Sequence, residues 1–242
     1  MKKRPASILL IVCLLLSLLP ASVFAATEYD LYINEFRFTS TNLTYTGEVG
    51  SAVYSPQTKT LSLNNLTIST SRTNALIYSN IPGLTIDVNG TTTINLLDSS
   101  PIGGSDVGTD QTNHAFMLNA ATTIKGQRGN KSIDKIVINS KSIGVTNPEP
   151  DGTTRVGISS ASQLTLQDIT LSMTDNSATN KVGYASLLRA GGYTTISGCT
   201  LDAQKCAHGV FMLEKAAANI AGTEFSMNLS GTLTSGMNFS PG

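Results

Sequence analysis

The chain of 242 residues has no tryptophan, two histidines and only 13% charged residues. So few charges leave little for helix-surface ion pairs, and abundant Ser, Thr, Asn and Gly suit a stacked β surface, so very little helix is expected. Two histidines leave little material for a histidine-rich metal site. The single long apolar run, Ile8 to Leu19 with Ser17 inside it, follows Lys2, Lys3 and Arg4 and ends at Pro20 and small residues. At about a dozen residues it is short of the ~20 that a spanning helix needs, and it reads as a secretory signal peptide, residues 1–25, cut between Ala25 and Ala26. No membrane span is expected after its removal.

Cleavage removes three of the 16 basic residues and none of the 16 acidic ones, leaving 13 against 16 and a net charge of −3. This excludes the basic footprint of a nucleic-acid binder. Two cysteines remain, Cys199 and Cys206. Outside the cell they could pair, and their spacing leaves that open, although Cys199 falls at the repeat position filled elsewhere by Leu66, Ile169 and Thr223 and so reads as a small apolar residue packed in the core.

That repeat is the main positive signal. Leu63 to Ile68, Leu166 to Leu171, Ile196 to Leu201 and Ile220 to Phe225 share one scheme, with Asn65, Asp168, Gly198 and Gly222 in the third position. Asn, Asp and Gly tolerate a left-handed backbone, so each copy predicts two short strands meeting at a bend. Copies start 30 and then 24 residues apart between 166, 196 and 220, a solenoid period. The predicted fold is an all-β, right-handed parallel β-helix of about six coils in one domain, 26–242. Residues 26–54 form an N-terminal cap, 55–230 the coils, and 231–242 a ragged end. Tyr29, Tyr32, Phe36, Phe38, Tyr45 and Tyr54 crowd the cap, where filling a core is favoured over a sugar-stacking platform. Leu76, Phe116, Gly157, Leu187 and Val210 mark coil starts. Loops are expected at Asp98 to His114, at Gln127 to Asp134 interrupting a strand, at Gly144 to Arg155, and in a shorter excursion at Asp175 to Asn180.

Aligning the copies predicts outward columns of Thr67, Thr170, Thr200, Glu224 and of Ser69, Ser172, Asp202, Ser226. Asp202 and Glu224 become diagonal neighbours, a weak acidic pair read as a solvated face rather than a catalytic dyad. Asp98, Asp106 and Asp110 share a Gly-rich loop and could offer oxygens to Ca²⁺, but their spacing fits no calcium loop, and no cofactor is expected. His114 and His208, each before a coil start, read as turn histidines.

Tyr29 to Asn34, then Tyr54, Ser55, Pro56 leading to Thr60 to Asn65, together with the corner repeat, resemble secreted bacterial right-handed β-helix proteins of the pectate-lyase-like group. The likeness spans nearly the whole mature chain and is to a subset commonly labelled carbohydrate-binding. It implies a secreted or cell-surface protein that binds a glycan or a cell-wall component. The alternatives are a polysaccharide lyase or hydrolase of that group, or a structural or adhesive module. The enzymes of the group use acidic clusters on the coil faces, and this sequence carries no matching cluster.

Overall fold

In a computed structural model, residues 26–70, 75–98, 112–142, 154–176, 184–206, 211–213, 218–221 and 224–228 are described. The proposed signal peptide, His208, Asp106, Asp110, Gly222 and the proposed ragged end lie outside them. The described residues are all-β, without a helix, and their strands form mostly parallel, curled sheets.

The N-terminal segment runs through β1 (Glu28–Ile33), β2 (Phe36–Thr39), β3 (Thr44–Thr46), β4 (Val49–Ser55) and β5 (Thr60–Thr70). Five tiers of three strands follow. They are β6 (Ile77–Ser79), β7 (Leu84–Asn89) and β8 (Thr91–Asp98); β9 (Thr112–Leu118), β10 (Thr122–Gly126) and β11 (Lys135–Ser142); β12 (Thr154–Ser160), β13 (Leu164–Gln167) and β14 (Thr170–Asp175). The last two are β15 (Tyr184–Ala190), β16 (Thr194–Ser197) and β17 (Thr200–Gln204); and β18 (Phe211–Leu213), β19 (Ala218–Ala221) and β20 (Glu224–Asn228). The first strand of each tier joins the smaller sheet, ordered β18, β15, β12, β9, β6, β1, β2. The second and third strands extend two arms of the larger sheet, which meet at β5 because that strand pairs with β7 through Thr60 to Asn64 and with β8 through Thr67 to Thr70.

Alternation of apolar and polar residues sets which side faces in. Leu61, Ile86, Ile124, Leu166 and Ile196 stand in register and are fully buried, as are Ile94, Ile138, Met173 and Ala203 on the second arm and Phe116, Ile158 and Leu188 in the smaller sheet. Each such large side chain contributes roughly 1.5–3 kcal/mol on burial. At the N-terminal end, Phe38 and Tyr54 are buried, with edge-on ring contacts linking Tyr29 to Tyr54 at 5.1 Å and Phe36 to Phe38 at 5.0 Å.

The corner residues Asn65, Asp168 and Gly198 have φ of 45, 50 and 63°, the left-handed backbone expected of them. Gly90, outside the repeat scheme, turns the first full tier with φ 80°. A Cβ there would stand 2.1 Å from Asn65 Oδ1, and one on Gly198 would stand 2.3 Å from Asp168 Oδ1. A side-chain oxygen in one tier therefore requires glycine in the next. Asn65 Oδ1 uses that closeness to accept from Thr91 N at 3.3 Å.

Three alignments made on sequence are corrected. Thr67 stands in register with Thr93, Val137, Ser172 and Asp202, not with Thr170, because β5 runs through its corner and bends later relative to its interior residues. The coil starts in register are Ile77, Phe116, Ile158, Leu188 and Phe211, one residue beyond every expected position except Phe116. Residues Gln127 to Asp134 replace a corner rather than interrupt a strand, since β10 and β11 belong to different arms. There the buried Asp134 accepts from Gly90 N at 3.0 Å and Arg128 N at 2.8 Å, so both amides are satisfied within the bend.

Candidate functional site

Of the residues singled out by sequence, Asp202 and Glu224 stand on adjacent strands as the expected diagonal neighbours, whereas Asp98 ends a strand three tiers away. Asp202 is part-buried in register with Ser172 and Ser226, and Gln204 Nε2 donates to its Oδ1. Glu224 stands opposite Thr200, one pleat repeat away on the next strand. Asp98 ends β8 opposite Ser142. Among the described residues no three His, Cys, Asp or Glu side chains come together as a metal site. Cys199 and Cys206 are both free and buried. The five-residue β17 between them spans roughly 16 Å, beyond the ~7 Å Cα reach of a disulfide. Burial, and secondarily the charge of Asp175, pushes the Cys206 thiol up to about 12, which keeps it an inert core group.

The outer face of the smaller sheet concentrates more varied chemistry. Its central column reads Arg37, Tyr32, Tyr78, Met117, Ser159 and Arg189 in register, all part-buried. From Tyr32 to Arg189 four strand steps cover ~19 Å. Leu31 and Ile33 turn inward and so point Tyr32 outward, where its ring meets Tyr78 edge-on at 5.7 Å and Arg37 Cζ lies 5.3 Å from its centroid. Arg37 is largely committed: Nη1 pairs with Glu28, Nη2 lies 3.8 Å from Asp30 and Nε donates to Tyr29 O at 3.1 Å. The Tyr78 hydroxyl accepts from Asn80 Nδ2 at 2.7 Å and Asn119 Nδ2 at 3.3 Å.

Beside this column the strands end in a second one, where side chains shrink from Asn80 and Asn119 to Ala161 and Gly191. Backbone bonds of 2.9 Å from Asn119 N to Ser79 O, 2.9 Å from Ala161 N to Leu118 O and 2.7 Å from Gly191 N to Ser160 O keep those tiers in step. The missing bulk opens a groove of about 720 Å³ lined by Met117, Asn119, Ser159, Ser160, Ala161, Arg189 and Gly191. Ser160 is held by its own Oγ, which donates to Ser162 O at 2.9 Å.

His114 lies within β9, not at a turn as expected, and is only 8% exposed with Nδ1 lacking a hydrogen-bond partner. Burial, and then the nearby Arg189 charge, lower its pKa to about 4, so the imidazole is neutral at pH 7.

Sequence reasoning missed Tyr78, Met117, Asn119 and Arg189. Their signal was present in the coil starts, since each column residue follows the inward Ile77, Phe116, Ile158 or Leu188. The one-residue misalignment placed Met117 opposite inward residues and hid the column.

No family model matches the chain, and neither a curated protein nor a solved structure does. Function must therefore be argued from the chemistry of this face. Two tyrosines, a thioether, hydroxyls, amides and a guanidinium can stack on, and hydrogen-bond to, a ligand that is both polar and flat-sided. Among the described residues, the groove lining contains no carboxylate or imidazole to exchange a proton with a bound substrate.

Proposed function

We propose that the protein is a non-catalytic, secreted β-helix of the bacterial pectate-lyase-like kind, which binds a glycan or a cell-surface component along the outer face of its smaller sheet. The observation carrying this reading is the in-register run of Tyr32, Tyr78, Met117, Ser159 and Arg189 beside an open groove. Sugars offer apolar ring faces to aromatic side chains and hydroxyls to amides, and this column presents both along a line long enough for several residues of a polymer. The right-handed coil is supported by strands that return to the same three positions in sequence order, because parallel crossover connections are right-handed in ~98% of cases.

The test is a glycan array combined with a cell-wall pull-down of the mature chain. Binding to at least one polymer is expected, with loss in Tyr78→Ala. Absence of binding to every polymer tested in both assays overturns the proposal.

A further inference from the structure

Taking the glycan-binding reading of this face as its basis, we infer that the groove selects sugars carrying an acetamido group, which it holds between Tyr78 and Ser159 over Met117.

Tyr78 supplies a hydrogen. Its phenol oxygen accepts from Asn80 Nδ2 at 2.7 Å and from Asn119 Nδ2 at 3.3 Å. Asp30 Oδ2 accepts from the same Asn80 nitrogen at 2.9 Å, which fixes that amide with its NH2 toward the phenol. Two incoming N–H groups occupy the oxygen, and the phenol's own proton has no acceptor among the described contacts. The Asn119 bond also draws the Tyr78 ring across to the edge of the groove, which Met117, Asn119 and Ser159 line. Ser159 Oγ likewise has no partner among the described contacts and can accept a hydrogen.

These atoms match a ligand group with an acceptor at one end, a hydrogen at the other and an apolar side. Tyr78, Met117 and Ser159 stand in register on three consecutive strands, so the outer two are ~10 Å apart at the backbone. A trans amide directs its C=O and N–H in opposite directions, and with a hydrogen bond of ~2.9 Å at each end it bridges a gap of that order, as backbone amides do between strands. Its carbonyl accepts from Tyr78 Oη and its N–H donates to Ser159 Oγ. The methyl lies against the Met117 thioether and takes the space beside the small, exposed Ala161. The second N–H and the Oδ1 of Asn119 remain for ring hydroxyls. A sugar hydroxyl in the same place is too short to span both partners and brings no methyl. A carboxylate would set a charge against the thioether.

Four β-1,4-linked hexamers provide the test: those of N-acetylglucosamine, glucosamine, glucose and glucuronic acid. In calorimetric titrations at physiological salt, the mature chain is expected to bind the N-acetylglucosamine hexamer at least tenfold more tightly than the other three. Tyr78→Phe, which keeps the ring and removes the hydroxyl, and independently Ser159→Ala should each reduce that preference at least threefold while the thermal melt stays cooperative. Lys125→Ala, on another face, should leave it unchanged. Pull-down on chitin and on purified peptidoglycan then separates two polymers that carry the group, and capture by either supports the inference. Equal binding of any comparison hexamer, or a preference that survives both Tyr78→Phe and Ser159→Ala, overturns it. Array binding confined to glycans without an acetamido group, and sensitive to Tyr78→Ala, overturns this inference while the proposed function stands; no glycan binding of any kind overturns both.

Discussion

The outer faces of the smaller sheet and of the larger sheet's first arm rest on similar foundations and look unlike each other. Both stack on buried apolar columns, with parallel pairing throughout the first arm and from β6 onward in the smaller sheet, where β1 joins β6 antiparallel. On the first arm the outward position repeats as Thr60, Thr85, Thr123, Thr165 and Thr195 in register through five strands. On the smaller sheet the corresponding run changes from Tyr32 and Tyr78 to Met117, Ser159 and Arg189. Threonine's branched, rotamer-restricted side chain suits a pleated surface, so its repetition is what stacking alone favours. A face that abandons that solution, and leaves a groove where Ala161 and Gly191 replace asparagine, has chemistry set by something other than stacking. The contrast is why the proposed recognition is assigned to the irregular face, with the regular one as scaffold.

The contrast depends first on the two faces sharing equivalent foundations. Ile124→Ala under the first arm and Phe116→Ala under the smaller sheet should each cost about 2–5 kcal/mol in urea unfolding. A negligible loss for Phe116→Ala would show that the smaller sheet is not part of the same stack. Next in size is the corner between the arms. Gly90→Ala must place a Cβ against Asn65 Oδ1 at positive φ, and a loss of about 1–3 kcal/mol is expected. Combining it with Asn65→Gly should recover part of that loss, and strict additivity in the double-mutant cycle would reject the side-chain-to-glycine coupling.

Binding separates the faces more sharply than stability does. Tyr78→Ala should weaken glycan binding about tenfold, or ~1.4 kcal/mol, whereas Thr165→Ser should change it less than twofold by the same titration. The smallest expected effect is electrostatic. The folded-state pKa of His114, about 4, lies below its ordinary 6.5, so protonation favours unfolding. Its contribution to stability is intact above pH 6.5, declines as pH falls and is gone below about 4. Near pH 5.5 the loss is on the order of 1 kcal/mol, and comparing urea midpoints of the wild type and His114→Gln at pH 7 and 5.5 isolates it.

Much of the scaffold was legible in the residues themselves. Asn65, Asp168 and Gly198 announced left-handed corners because few residue types accept that backbone, and alternating aliphatics announced the interior. Asn89 and Gly90 likewise read as a turn and are one, but the bend before Lys135 was harder to see, since it inserts a loop whose buried Asp134 bonds to an amide 44 residues away. The groove was harder still. It is formed by what Ala161 and Gly191 lack, and a lack becomes visible only when the strand register shows which neighbours are large. Asp202 and Glu224 drew attention as charged residues in a sparsely charged chain, yet the face proposed for recognition consists mainly of neutral side chains.

The most direct measurement is a titration of the tightest array ligand against Ala161→Phe and Thr123→Phe, one bulky side chain on each outer face. Loss of binding with Ala161→Phe and near wild-type affinity with Thr123→Phe is the predicted result. Loss with Thr123→Phe and unchanged affinity with Ala161→Phe would contradict the account and move recognition to the threonine face.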